Sequence, residues 1–167
     1  MATSTLISVS EYLASSYRPD QEYIDGQLLE RNIGELDHSW LQGEALLHFA
    51  GYRRTMDLRA FPEWRVQVKP TRYRVPDVTV VRGQPGEQIL THPPFLCIEV
   101  LSPDDSMSSM QERIDDYLAF GAENIWIIDP RRRKGFWADS TGIHEAADGV
   151  LRTRDESVEM DLAAMWP

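Results

Sequence analysis

The chain has 167 residues, 42% of them hydrophobic, which suits one domain with a full core, and its formal net charge of −10 argues against broad, non-specific polyanion binding. No apolar run approaches the roughly 18 residues that a membrane span needs, and the opening Met-Ala-Thr-Ser-Thr-Leu-Ile lacks the basic and apolar regions of a secretory signal. The single cysteine, Cys97, excludes an intrachain disulfide and a cysteine-based zinc site, so a cytoplasmic location with no membrane partner is the expectation.

Ser8-Val9-Ser10-Glu11 has the form of a capping box and predicts a short helix through Leu13 and Ala14, ended by Arg18-Pro19-Asp20. Tyr23-Ile24 and Leu28-Leu29 flank Asp25-Gly26, a hairpin turn signal. Asp37 reads as the N-cap of a helix from His38 to Ala50, stopped by Gly51. Its Leu41, Ala45, His48, Phe49 and Tyr52 recur at helical spacing and should face a sheet. Strands are predicted around Leu58–Phe61, Trp64–Val68, Pro76–Val81 and Phe95–Leu101, with a Gly- and Pro-rich loop from Gly83 to Pro94 joining the last two. A second long helix runs from about Ser108 to Phe120, turns Met110, Ile114, Tyr117 and Leu118 inward, and stops at Gly121. Strand Ile125–Ile128 is closed by Asp129-Pro130, and two more strands, around Phe136–Ala138 and Ile143–Glu145, follow. This order predicts an α/β fold over residues 1–167, with a mixed central sheet flanked by helices.

Two of these strands carry an acid, Asp77 in one and Glu99 in the next. A lone carboxylate in an apolar strand is costly to ionise unless a cation sits beside it. A hard divalent ion such as Mg²⁺ (or Mn²⁺), held by one or two carboxylates plus water and substrate phosphate, would supply that cation. Residue types alone leave a second reading open, in which Asp77 caps a strand end and Glu99 pairs with a buried arginine.

The segments "QEYIDGQLLERN", "DHSWLQG", "RVPDVTVV", "FLCIEVLSPDD" and "RIDDYLAFGAENIWIIDP" together resemble the Uma2 family, a restriction-endonuclease branch of the PD-(D/E)XK nuclease superfamily. The resemblance covers nearly the whole chain. It implies a restriction-endonuclease-like core and Mg²⁺-dependent cleavage of DNA, with the metal held by Asp77, Glu99 and the Val100 carbonyl. The superfamily's lysine, two residues after the second acid, is replaced here by Leu101. In many Uma2 sequences the lysine stands instead on the following helix, four residues before a tyrosine; the matching position here, four before Tyr117, is Arg113. Arginine can neutralise phosphate bidentately but cannot act as a base.

Several other residues are candidates around this pair. Gln111, on the other edge of the same helical stripe, could orient a water. His38, matching the family's histidine, sits at a helix start, where the dipole lowers a histidine's pKa and favours anions. Glu30 and Glu44 could approach a metal, and Lys69 is a weak substitute for the missing lysine. Arg113 could equally be a solvent-facing partner of Asp116, and Asp129 is explained as a turn residue.

Charge is unevenly spread. Seven basic residues face two acids between Arg53 and Arg74, directly before Asp77, whereas seven acids face two arginines between Asp139 and Asp161. The basic stretch could receive a phosphate-bearing substrate or form a solvated face. Three functional classes stay open: a DNA endonuclease, a nuclease-fold binding or assembly module without turnover, and a hydrolase of small phosphoesters. DNA is the expected partner, and a homodimer is a further expectation.

Overall fold

Short apolar or alternating runs separated by turn residues build most of the chain, and the computed structural model describes residues 6–31 and 35–167. Helix α1 (Val9–Ala14) starts at Ser8, whose hydroxyl accepts the Glu11 amide at 3.1 Å. Strands β1 (Gln21–Ile24) and β2 (Gln27–Glu30) turn at Asp25-Gly26, where φ is 49° and 96°, the paired positive values a tight hairpin requires. There follow α2 (Leu36–Ala50), β3 (Leu58–Pro62), β4 (Val66–Lys69), β5 (Arg72–Arg74), β6 (Val78–Arg82) and β7 (Leu96–Val100). Helix α3 (Met107–Phe120) leads to β8 (Asn124–Asp129), β9 (Lys134–Asp139), β10 (Gly142–Glu145), β11 (Val150–Arg152) and β12 (Glu159–Asp161), and a 3-10 turn (Leu162–Met165) lies near the end.

The central sheet has six strands in the order β10-β9-β8-β7-β6-β3. It is mixed: β7 and β8 are parallel, joined by the α3 crossover, and the other pairs are antiparallel. Alternate side chains along each strand point to opposite faces. Val78, Val80, Leu96, Ile98, Trp126 and Ile128 therefore pack on Leu41, Ala45 and Phe49 of α2. Val81, Cys97, Ile125 and Ile127 pack on Met110, Ile114 and Tyr117 of α3. The acid-bearing strands thus run through the middle of the core, with a helix on each side.

The structure gathers the expected hairpin and the strand around Trp64–Val68 into a second sheet through β5, and adds a C-terminal ribbon that the periodicity did not predict. Strands β2-β1-β5-β4 form a small antiparallel sheet, locked to α1 through the buried ring cluster Tyr12, Tyr23 and Tyr73. Val75 and Pro76 separate β5 from β6, because proline cannot donate to a ladder. The ribbon of β11 and β12 and the final turn carry Leu151, Val158, Met160, Leu162 and Met165 onto the α2 side of the core. The alternation in Val158-Glu159-Met160 is the signal for that ribbon. Helix α2 also begins earlier than expected. Its N-cap is Glu35, with no side-chain cap bond, and Asp37 falls in the first turn. Among the described residues no helix is long and apolar enough to cross a membrane. The first five residues of the N-terminal stretch lie outside the described residues.

Candidate active site

Strand register brings the two acids together. β6 and β7 pair Val78 with Ile98 and Thr79 with Cys97. One further step in that register sets Asp77 opposite Glu99 on the α3 side, where cross-strand Cβ atoms lie about 4.5–5.5 Å apart. Pro76 ends the ladder there, and the Val100 amide is bound by the Asp77 side chain instead, with N···Oδ2 at 2.7 Å. Asp77 and Glu99 are only 3% and 2% exposed. Both line one recess of about 20 Å³, together with Arg31, His38, Val100, Ser102, Asp105 and Arg113. That is room for a single water-sized occupant.

Each carboxylate has its own set of donors. Asp77 Oδ1 accepts from Arg31 Nη2 at 2.6 Å, and Oδ2 lies 3.2 Å from His38 Nε2. Gln42, one turn beyond His38 on α2, donates to the Asp77 carbonyl at 2.8 Å. The spacing of His38 and Gln42 thus aims one helix face at Asp77. Burial pushes the Asp77 carboxyl up, but the His38 hydrogen bond, Arg31 and the Val100 amide outweigh it and hold the group below its ordinary range. In turn the Asp77 hydrogen bond raises His38, against the lowering expected from the helix start. A carboxylate in direct contact outweighs a partial helix charge.

Glu99 is less well compensated. Tyr117 donates its hydroxyl to Oε1, and Arg113 Nη1 lies 3.4 Å from Oε2. Burial raises its carboxyl to about 7, with Arg113 opposing and Asp77 and Glu22 adding to the rise. Arg113 Nη1 also lies 3.4 Å from Asp105 Oδ1, and its Nε is 4.0 Å from Glu22. Asp105 is fixed by Ser102, whose amide and hydroxyl donate to Oδ2 at 2.8 and 2.9 Å. Ser102 to Asp105 therefore forms one wall of the recess. Of the two sequence readings of Arg113, the structure shows the one directed at Glu99.

Behind the recess lies an ionic layer that sequence reasoning missed. Arg74, 2% exposed, donates through Nη1 to Glu22 at 2.7 Å and through Nε to Asp116 at 2.8 Å. The Val75 amide also donates to Glu22, at 3.1 Å. Asp116 is not a solvent-facing partner of Arg113. It is buried, and Arg72 and Lys69 reach it at 3.1 and 3.4 Å. Three of the seven basic residues before Asp77, Lys69, Arg72 and Arg74, thus turn to Asp116, whereas Arg53 and Arg54 remain exposed. Arg31 was missed as well, since nothing in the spacing of "LLERN" marks it.

Four candidates stand away from the recess. Gln111 lies on the exposed face of α3 and donates to Asp115 at 2.9 Å. Glu30 is exposed on β2, Glu44 is half-buried on α2, and neither lines the recess. Lys69 is committed to Asp116. Val100 lines the recess, and its amide is the part engaged by Asp77.

Among the described residues no group of three or more His, Cys, Asp or Glu side chains is arranged to hold a metal. The acid pair itself still fits a hard cation. It offers buried carboxylate oxygens, one of them under-compensated, beside a space of one water, and Mg²⁺ takes one or two carboxylates with water filling the rest. Arg31 and His38 on Asp77 and Arg113 on Glu99 are the groups that such an ion would have to displace or share.

A family described as "putative restriction endonuclease", Uma2, matches residues 9–149. A "putative nuclease belonging to DUF820" from Anabaena variabilis ATCC 29413 superposes with a TM-score of 0.81 at 22% identity, over 95% of this chain and 97% of that one, which shows a shared fold. A DrdV–DNA complex overlaps 77% of this chain and 12% of its own at 14% identity, but a TM-score of 0.37 carries no argument. No curated protein is similar enough to count as a relative. With 141 of its residues inside the family match and the same nuclease fold throughout, the chain belongs to the Uma2 family.

Proposed function

We propose that the protein is a Mg²⁺- or Mn²⁺-dependent endonuclease that hydrolyses phosphodiester bonds in DNA. The observation that carries this reading is the burial of Asp77 and Glu99 side by side on one recess, with an arginine on each. Asp77 and Glu99, with the Val100 carbonyl, would hold the ion, which when bound supplies a Lewis acid and a water of lowered pKa.

The remaining roles belong to the chain's own side chains. Arg113 presents a guanidinium at the recess edge and neutralises a phosphate oxygen, though it cannot take a proton. Arg31 does the same from the Asp77 side. His38, its pKa raised by the hydrogen bond to Asp77, holds its Nε2 against Oδ2 and so orients the Asp77 carboxylate in the recess. Tyr117 fixes the Glu99 carboxylate through its hydroxyl. Gln111 takes no part. A cytoplasmic location belongs to the same reading.

A second reading, a nuclease-fold binding module without turnover, is favoured by one observation: Arg31 and Arg113 already neutralise the acid pair. Plasmid cleavage separates the two. With Mg²⁺ or Mn²⁺ the wild type should nick or cut plasmid DNA, and Asp77→Ala should leave it intact. Silence of the wild type with both metals, on single- and double-stranded DNA, would remove the DNA nuclease reading and favour the binding module.

A further inference from the structure

Beside the recess, on the same face of the sheet, lies a second and quite different cavity. It measures about 270 Å³ and shares Asp105 with the lining of the recess. Its walls are Leu101, Met110, Phe136 and Ile143, with Met107 at the lip. We propose that this slot binds one unpaired nucleobase of a nucleic-acid strand whose neighbouring phosphate occupies the recess, an inference that rests on the nuclease reading of that recess.

Position is the first argument. Strand register aligns Glu99 with Ile127 and Ile127 with Phe136 in one row across the sheet. Ile127 and Phe136 both line the slot. Adjacent strands lie about 4.7–4.9 Å apart, so the slot begins at Leu101, just past Glu99 at the end of β7, and extends across β8 and β9 to Ile143 on β10. Leu101, which stands where the superfamily has its lysine, follows Glu99 by two residues on the same face and forms the near wall. A group attached directly to a phosphate at the recess would reach this wall first.

Chemistry is the second argument. At about 270 Å³ the slot falls just below the roughly 300–1,000 Å³ range of small-molecule pockets, which suits a single ring system and not a length of strand. A flat aromatic base gains from stacking on Phe136 and from the polarisable sulfurs of Met107 and Met110. Met107 is 78% exposed, an apolar side chain left uncovered at the entrance. A base inside a duplex cannot enter, because its stack must first be opened.

Charge is the third. Arg132 lies at the outer rim, and Arg131 and Arg133 beside it in the β8–β9 turn are exposed. Asp129 also lines the slot and lies 3.8 Å from Arg132 Nε, so in a chain of net charge −10 this rim sets three arginines against one acid. Recess, apolar slot and arginine turn thus follow one another as phosphate, base and next phosphate do along a strand.

The test is equilibrium binding, read by fluorescence anisotropy in EDTA so that no strand is cut. The probes are a short fluorescein-labelled single-stranded DNA, its duplex, and a series with one abasic site moved along the strand. The single strand should bind about tenfold tighter than the duplex, and one abasic position should cost about tenfold, the weight of one stacked base. Ile143→Trp, which fills the slot, should weaken the intact strand by a similar factor and leave the abasic strand unchanged. The abasic series uses the wild type alone and so decides the matter even if that variant fails to fold. Equal binding of intact and abasic strands, duplex binding as tight as single-strand binding, or no measurable binding overturns the slot. Base-dependent binding with no cleavage under any metal would retain the slot and remove the nuclease reading, whereas cleavage with base-independent binding would do the reverse.

Discussion

Arg74→Met tests whether the ionic layer behind the recess is held by a single buried cation. The guanidinium is 2% exposed and bridges two acids, Glu22 and Asp116, which are 3% and 2% exposed. Methionine approximates the volume and keeps the packing, so the loss is electrostatic. Asp116 retains Arg72 and Lys69, at 3.1 and 3.4 Å. Glu22 retains only the Val75 amide at 3.1 Å and an arginine 4.0 Å away, so most of the cost falls on it. Removing one partner of a buried pair costs about 3–5 kcal/mol, which at roughly 2–4 °C per kcal/mol for a domain of this size lowers the melting temperature by roughly 6–20 °C. Urea unfolding followed by tryptophan fluorescence reads this directly, since Trp126 is fully buried. Adding Glu22→Gln should recover a large part of the loss by removing the stranded charge. A loss below about 1 kcal/mol, the scale of an exposed pair, or no recovery in the double variant, would refute the reasoning.

Three further outcomes follow from particular contacts. Glu99, raised to about 7 in the fold, costs stability when ionised; that cost is absent below its unfolded value and complete above about pH 7. Glu99→Gln should therefore stabilise the metal-free protein at pH 8 and do little at pH 4, and equal effects at both would contradict the assignment. Gly135→Ala would set a Cβ 2.5 Å from Leu162 Cδ1 and 3.0 Å from Leu151 Cγ. Overpacking of this kind costs about 1–3 kcal/mol, and an unchanged urea midpoint would show that the C-terminal turn does not pack there. Arg113→Lys keeps a cation near Glu99 and adds a group able to lose its proton, so plasmid cleavage should persist or rise. Abolished cleavage would mean that the planar fork of arginine is required.

The helices and central strands were legible because their signals are local. Ser8 caps, Gly121 stops α3 with a φ of 97°, and the stripe Met110, Ile114 and Tyr117 faces the sheet, although the Ser106 cap that starts α3 at Met107 was not predicted. Asp77 and Glu99 stood out for the same reason, as charges in apolar runs. What stayed hidden depends on pairing between distant segments. Glu22, Arg74 and Asp116 are ordinary surface residue types until β1, β5 and α3 are assembled around them. Arg31 reaches Asp77 across 46 positions of sequence, which no window of local periodicity can see. The sign of the His38 shift failed likewise, because its decisive neighbour, Asp77, lies on another element. Resemblance to Uma2 supplied the pairing of acids that periodicity alone left undecided.

The central claim is that Asp77 and Glu99 together hold one divalent ion. Mn²⁺ titration followed by electron paramagnetic resonance of the free ion measures this without requiring turnover. Wild type should bind one equivalent, Asp77→Ala and Glu99→Gln should each abolish that binding, and Gln111→Ala should leave it unchanged. Retention of one equivalent by both acid variants, or no binding by the wild type, would contradict the account.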